Sequence, residues 1–323
     1  MSTARRLGVL TAAAALLLAG CGGGDTAATT EDGLVQVRVG TIPTVDAAPL
    51  YLAQEQGIFA EHGLEVEIHV ADGGAAVIPA VISGEDQFGY SNVISSLLAA
   101  DGGLPVTLVQ DCCAAAATPD ADTSRVLALP DGPIRSAADL AGANIAVNTL
   151  QNIGEVTIKM ALQNEGIDIS GITFTQLAFS DMNDALERGD VDAIWQVAPN
   201  VQTALDRGFV PLLSPFVQAE PEGVLGHYLT SQSYAASDPE VVQDFVDAMA
   251  EANAYATDHL DEARATIVAN LQFDQTVVEA SSFPLYPSEV TQEEVEVFSD
   301  KAIEYGIIPD QPDWDTYLWQ PQP

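Results

Sequence analysis

Ala80-Val81-Ile82-Ser83-Gly84-Glu85, leading into Gln87-Phe88-Gly89-Tyr90, returns later in the chain as Ala185-Leu186-Glu187-Arg188-Gly189-Asp190, leading into Asp192-Ala193-Ile194-Trp195. In both stretches a helical pattern runs out at a glycine, the residue that closes helices in the left-handed conformation because it has no Cβ to clash. A short strand follows, and it ends on an aromatic residue. A helix–glycine–strand unit occurring twice predicts two similar lobes.

Reading outward from these units, strands are expected at 35–42, 65–70, 87–90 and 106–110, with helices at 49–61, 75–83 and 94–100 between them. A second cycle follows, with strands at 125–129, 144–147, 173–179, 191–197 and 210–213 and helices at 154–164, 182–188 and 201–207. Such alternation predicts an α/β fold with parallel, doubly wound sheets. The last hundred residues change character. Residues 227–234 read as a strand, and Asp238-Pro239 opens a helix with Val242, Phe245, Met249, Ala252 and Ala256 on one face. Further helices are expected from Gln275 and from Ser288-Glu289, ahead of an aromatic tail with Trp314, Tyr317 and Trp319. This segment is expected to return to the first lobe.

The N-terminus carries Arg5 and Arg6, then an apolar run from Leu7 to Ala19, then Gly20-Cys21. That is the charged, apolar and small-residue order of an export signal, too short to span a bilayer as a mature helix. Leu18-Ala19-Gly20-Cys21 resembles a bacterial lipobox, whose cysteine is diacylated after cleavage. The Gly/Thr/Ala/Asp stretch after it suits a flexible tether. The expected organisation is a signal peptide at 1–20, a lipid-anchored tether at 21–33, a first lobe at 34–121, a second at 122–222, and a return to the first at 223–323. Placement outside the cytoplasmic membrane, held by lipid alone, follows.

Forty-seven acidic residues against 10 basic give a formal charge of −37. Such a surface repels phosphate backbones, which excludes nucleic acid as a partner. At 47% hydrophobic residues the chain is globular nonetheless. Cys112 and Cys113 stand side by side in an oxidising compartment. Their neighbouring Cα atoms, about 3.8 Å apart, are closer than a disulfide prefers, so a strained bridge and two buried thiols are both open readings.

Catalytic signatures are missing from the sequence: it has no GxSxG, HExxH or GxxxxGK[ST], and its four histidines lack ligand spacing. No metal or cofactor is expected. What remains is a set of strand ends followed by helix starts, where open α/β sheets bind ligands. The candidate ligand contacts are Pro43, Thr44, Asp46 and Ala47 after the first strand, Gly74 and Ala75 after the second, and Tyr90, Ser91 and Asn92 at the third. From the second lobe come Asn148, Thr149 and Asn152, then Phe179 and Ser180, then Trp195 and Gln196. These loops hold no Lys or Arg, so the ligand is expected to be neutral, zwitterionic, or an anion held by amides and backbone N–H groups.

Pro49-Leu50-Tyr51-Leu52-Ala53-Gln54-Glu55-Gln56-Gly57-Ile58-Phe59, with His62-Gly63-Leu64-Glu65-Val66-Glu67, resembles the opening motif of the nitrate/sulfonate/taurine-type substrate-binding proteins of ABC importers. Binders of thiamine-pyrimidine precursors share it. Ser83-Gly84-Glu85-Asp86-Gln87-Phe88-Gly89 is similar to a second motif, with Gln87 where Asp is usual. Asp139 to Val147 resembles a third, with Ala143 and Asn144 in place of lysines, and Asp190-Val191-Asp192-Ala193 a fourth. The resemblance implies a type II periplasmic-binding-protein fold: two α/β lobes, two crossovers, and a ligand cleft that closes on the solute. It also implies delivery to a membrane permease driven by an ATPase, by a receptor expected to be a monomer. The solute would be a small polar organic molecule or oxyanion, of sulfonate, taurine, nitrate or pyrimidine type. Two other readings stand beside it: an enzyme on the same fold, like the pyrimidine synthases of thiamine biosynthesis, and a ligand sensor subunit. Only Asp111-Cys112-Cys113-Ala114 lies near the Cys-rich region those synthases use.

Overall fold

The structure, a computed structural model, describes residues 29–71 and 73–321. The expected leader and Cys21 lie outside the described residues. The end of the expected tether does not run free: Thr29 bridges Val35, and Thr30 and Gly33 close a turn against the first strand.

The first lobe begins with β1 (Val35–Thr41), α1 (Ala48–Glu55), α2 (Ile58–Glu61) and β2 (Leu64–Val70). It continues through α3 (Gly74–Ser83), β3 (Phe88–Asn92), α4 (Val93–Asp101) and β4 (Val106–Ala114). The helix expected at 49–61 is two helices, because Gly57 at φ +80° breaks the run. The second lobe holds β5 (Ser124–Ala128), β6 (Asn144–Val147), α5 (Ile153–Asn164), β7 (Thr173–Gln176) and α6 (Phe179–Arg188). It ends with β8 (Ala193–Val197), α7 (Asn200–Asp206), β9 (Val210–Leu213) and α8 (Pro215–Ala219). Phe179, expected to end a strand, instead opens α6.

The chain then returns. β10 (Val224–Ser231) re-enters the first sheet, followed by α9 (Gln232–Ser237), α10 (Pro239–Asp258), α11 (Leu260–Leu271) and α12 (Gln275–Ala280). α13 (Gln292–Glu304) and α14 (Trp314–Tyr317) complete it. The strand expected at 227–234 starts earlier and turns into a helix at Gln232, where Ser231 caps α9.

Strand order is β2-β1-β3-β10-β4 in one sheet and β7-β6-β8-β5-β9 in the other. The sheets are not purely parallel. β10 runs antiparallel to β3 and β4, and β5 antiparallel to β8 and β9. Each of these reversed strands is the first laid down after the chain crosses between lobes, and each is inserted inside its sheet. The crossovers run side by side: the Ala115 N–H donates to the Gly223 carbonyl at 2.8 Å, and Ala114 pairs with Val224.

Helices cover both faces of the first sheet. The α10 face expected from the sequence is the buried one, and Phe245 stacks on Phe88 of β3 with centroids 3.9 Å apart. On the opposite face α3 lies so close that a Cβ on Gly89 would come within 2.3 Å of the Val77 Cγ1. His227 of β10 is buried beside Asp111 of β4, Nε2 to Oδ1 3.2 Å, and burial pushes the Asp111 carboxyl up.

Candidate functional site

The carboxyl ends of the parallel strands of both sheets meet across one cleft. Thr44, Asp46, Gly74, Tyr90 and Asn92 from the first lobe surround a cavity of about 30 Å³ with Asn148, Asn152, Phe179 and Trp195 from the second. Ile42, Ile153, Val197, Phe216 and Leu225 complete the lining. That volume holds about two water molecules, so a larger solute enters only if the lobes part. A larger groove of about 1320 Å³ runs past Arg38, Glu67, Glu85 and Tyr234. It lies at the amino ends of the parallel strands, the wrong end for a ligand site of this architecture.

Strand alternation explains which expected residues reach the cavity. Tyr90 and Asn92 of β3 face it, so Ser91 between them points the other way. Ser91 lies under the start of α3, its Oγ 2.8 Å from where a Gly74 Cβ would sit. Trp195 and Val197 of β8 face it, so Gln196 turns toward α6 and donates to the Phe179 carbonyl at 3.0 Å and to Asn183. Ala47 is buried in the short turn before α1, Pro43 is half-buried, and Ala75 and Ser180 are exposed on helix starts; none of these lines the cavity. Thr149 is also outside the lining, although a Cβ on Gly73 would lie 3.7 Å from its Oγ1 and 3.4 Å from the Asn148 amide. The loops after β2 and β6 therefore nearly touch across the cleft.

Two of the asparagines are helix caps. The Asn92 side chain accepts from the Ser95 N–H at 3.0 Å at the start of α4, and Asn152 accepts from the Ile153 N–H at the start of α5. The Asn152 amide also donates to the Ser95 Oγ at 2.8 Å, and the Val45 N–H to the Ala198 carbonyl at 3.4 Å. These bonds join the lobes directly.

Asp46 is the charged side chain among the lining residues. Its Oδ2 accepts from the Thr44 hydroxyl at 2.8 Å and the Tyr90 hydroxyl at 3.4 Å. Burial pushes its carboxyl above the ordinary value, and hydrogen bonds from Thr44, Tyr90 and Cys113 offset only part of that. Behind it stand Cys112 and Cys113, both free and buried. The bridge left open by the sequence is thus absent: Cys112 donates to the Asp46 carbonyl at 3.4 Å, and Cys113 lies 3.8 Å from the Tyr90 hydroxyl. A bulge in β4 at this point, where Gly226 faces Cys113 and His227 faces Asp111, sets the pairing out of register.

On the opposite wall Trp195 lies flat on the first turn of α5. A Cβ on Gly154 would fall 2.6 Å from its ring. Phe179 and Phe216 flank it at 5.7 and 5.9 Å. The indole N–H of Trp195 and the Asn148 Oδ1 are buried without protein partners among the described residues. Buried polar groups are normally satisfied, so these point to a ligand's donors and acceptors. An anion about 4 Å from Asp46 would meet a repulsion of about 4 kcal/mol at an effective dielectric of about 20.

Residues 44–263 match a protein-family model described as NMT1/THI5 like. The chain belongs to the NMT1/THI5-like family. Among curated relatives it is 24% identical over 204 residues to an Escherichia coli (strain K12) protein named for binding aliphatic sulfonates, covering 61% of this chain and 62% of that one. It is 25% identical over 210 residues to the taurine-binding periplasmic protein of the same organism, covering 65% of this chain and 63% of the relative. The chain thus spans 62% and 63% of these two relatives. The crystal structure of the Escherichia coli periplasmic aliphatic sulphonate binding protein superposes with a TM-score of 0.73 at 20% identity, covering 89% of this chain and 92% of that one. That structure carries the fold expected from the sequence, and both curated relatives are named as binding proteins.

Proposed function

We propose that this chain is the solute receptor of an ABC importer, closing its lobes on a small polar solute and presenting it to a permease and ATPase. The observation that carries the reading is the cavity between the strand ends of the two sheets, lined by Trp195 and Asn148, each with a buried polar atom left without a protein partner among the described residues. Contacts to the solute are assigned to Thr44, Asp46, Tyr90, Asn92, Asn148, Asn152, Phe179 and Trp195. Hydrogen bonds that join the lobes, Asn152 to Ser95 above all, break on opening and re-form on closure, as hinge-type receptors require. The receptor is held at the outer face of the membrane by lipid on Cys21, and works as a monomer of two lobes, 34–121 with 223–323 and 122–222.

A thermal-shift screen of the purified protein against sulfonates, taurine, nitrate, pyrimidines, aromatic acids and amino acids tests the reading. A ligand at about 100 times its Kd adds about 2.7 kcal/mol, which raises Tm by about 5–10 °C in a chain of this size. A hit in one chemical class supports the receptor; no shift with any class overturns it. Cys21→Ala should release the protein from the membrane fraction while leaving ligand shifts intact, and unchanged fractionation would remove the lipid anchor from the reading.

A further inference from the structure

We propose that Asp46 is the charge-selecting residue of the cleft: its carboxylate receives a positively charged nitrogen of the solute, and solutes lacking such a nitrogen are rejected. The inference rests on the receptor reading above and narrows it to ammonium-bearing cations and zwitterions. Four observations support it. First, no Lys, Arg or His lies among the cavity's lining residues, and no ion-pair partner within 4 Å meets Asp46 among the described residues. A half-buried carboxylate without a counter-charge is a site prepared for one. Second, the Thr44 and Tyr90 hydroxyls both donate to Oδ2, which leaves Oδ1 for an incoming donor. Those two hydroxyls hold the side chain, while the Cys112 thiol contacts the Asp46 backbone carbonyl from behind.

Third, the facing wall suits a cation. Trp195, Phe179 and Phe216 supply aromatic lining without a positive charge, and the Asn148 Oδ1 is a buried acceptor without a protein partner among the described residues, beside the equally unpartnered Trp195 N–H that would take the solute's acceptor. Fourth, the protein's formal charge of −37 draws cations toward every opening on its surface and repels anions from the same openings. The starts of α3, α4 and α5, at Gly74, Asn92 and Asn152, border the same cavity and favour an acidic group. A zwitterion with its nitrogen at Asp46 and its acid at these helix starts uses both features; a plain anion uses one and opposes the other.

The test uses pairs of solutes that differ in the charged nitrogen alone: taurine against 2-hydroxyethanesulfonate, phenylalanine against 3-phenylpropanoate, and 5-aminomethylpyrimidine against 5-hydroxymethylpyrimidine. Titration calorimetry and thermal shift are run near pH 7.5 on the wild-type protein and on Asp46→Asn. The expected result is that, in at least one pair, the nitrogen-bearing member binds at least tenfold tighter, and that Asp46→Asn shrinks the gap to threefold or less. A nitrogen-free member that binds as tightly as its partner overturns the charge selection while leaving the receptor reading standing. A gap unchanged in Asp46→Asn also overturns it. If no member of any pair binds while the wider screen finds a solute without a charged nitrogen, the charge selection falls and the receptor reading stands; if that screen is silent too, both fall. Should Asp46→Asn fail to fold, the wild-type pair ratios decide alone.

Discussion

On its first-lobe side the cleft is a cluster of ionisable groups: Asp46 and Tyr90 at the wall, with Cys112, Cys113, Tyr228 and Tyr286 packed behind. Burial moves every one of them toward its neutral form. On its second-lobe side the wall is aromatic and amide, with Trp195 seated on α5 and Phe179, Phe216 and Asn148 around it. The first wall holds polar chemistry against the cost of desolvation, and the second is held by packing. Substitutions on the two sides should therefore differ in sign as well as in size.

The largest effect is expected on the packed side. Trp195→Ala should cost about 3–5 kcal/mol of stability, the usual range for a buried tryptophan, read as a lowered urea midpoint. A loss below about 1 kcal/mol would mean that the ring is not held by its neighbours. Gly154→Ala tests the same wall from beneath. In an ordinary helix interior that change stabilises by about 1 kcal/mol; here the added methyl meets the indole, so a loss of about 1–3 kcal/mol is expected. A gain would show that the ring has room to shift.

The ionisable side should respond in the opposite direction. Asp46 has its folded-state pKa raised by burial above 3.8, so the folded protein holds that proton more firmly than the unfolded chain. Its contribution is favourable below the unfolded value and is lost as pH rises through the folded one. Asp46→Asn should therefore stabilise the unliganded protein at pH 7, with the gain fading as pH falls toward the unfolded value of 3.8, while solute affinity falls. Equal urea midpoints for variant and wild type at pH 7 would contradict the burial argument. The smallest effect is on the thiols. Burial pushes Cys112 and Cys113 up, so maleimide at pH 7 should label neither until urea unfolds the chain, and reductant should leave Tm unchanged.

Much of this was legible in the sequence because local chemistry and tertiary structure agree. Gly84 and Gly189 close α3 and α6 at φ +76° and +75°, as the opening motif requires. The α10 stripe is the buried face. Asp46, Tyr90 and Trp195 stand out as polar or aromatic residues at strand ends, and all three reach the cavity. Phe216 was not legible: it sits on α8, a helix of five residues, too short to show a period. Leu225 reaches the cleft because β10 is threaded backwards into the first sheet, a long-range choice that periodicity does not record. Ser91 and Gln196 read in sequence like their neighbours Tyr90 and Trp195 yet face the other way, because the phase of a short strand depends on pairing rather than on composition. The bulge that sets Cys112 and Cys113 is likewise a property of two paired strands.

The paired crossovers carry one more consequence. Because the 114–116 segment and the 222–224 segment are hydrogen-bonded neighbours, the lobes are joined by a two-stranded strip rather than by two separated cords. Such a strip constrains how the lobes can move against each other more than two separated cords would, and a pair of spectroscopic labels spanning the cleft would report that motion.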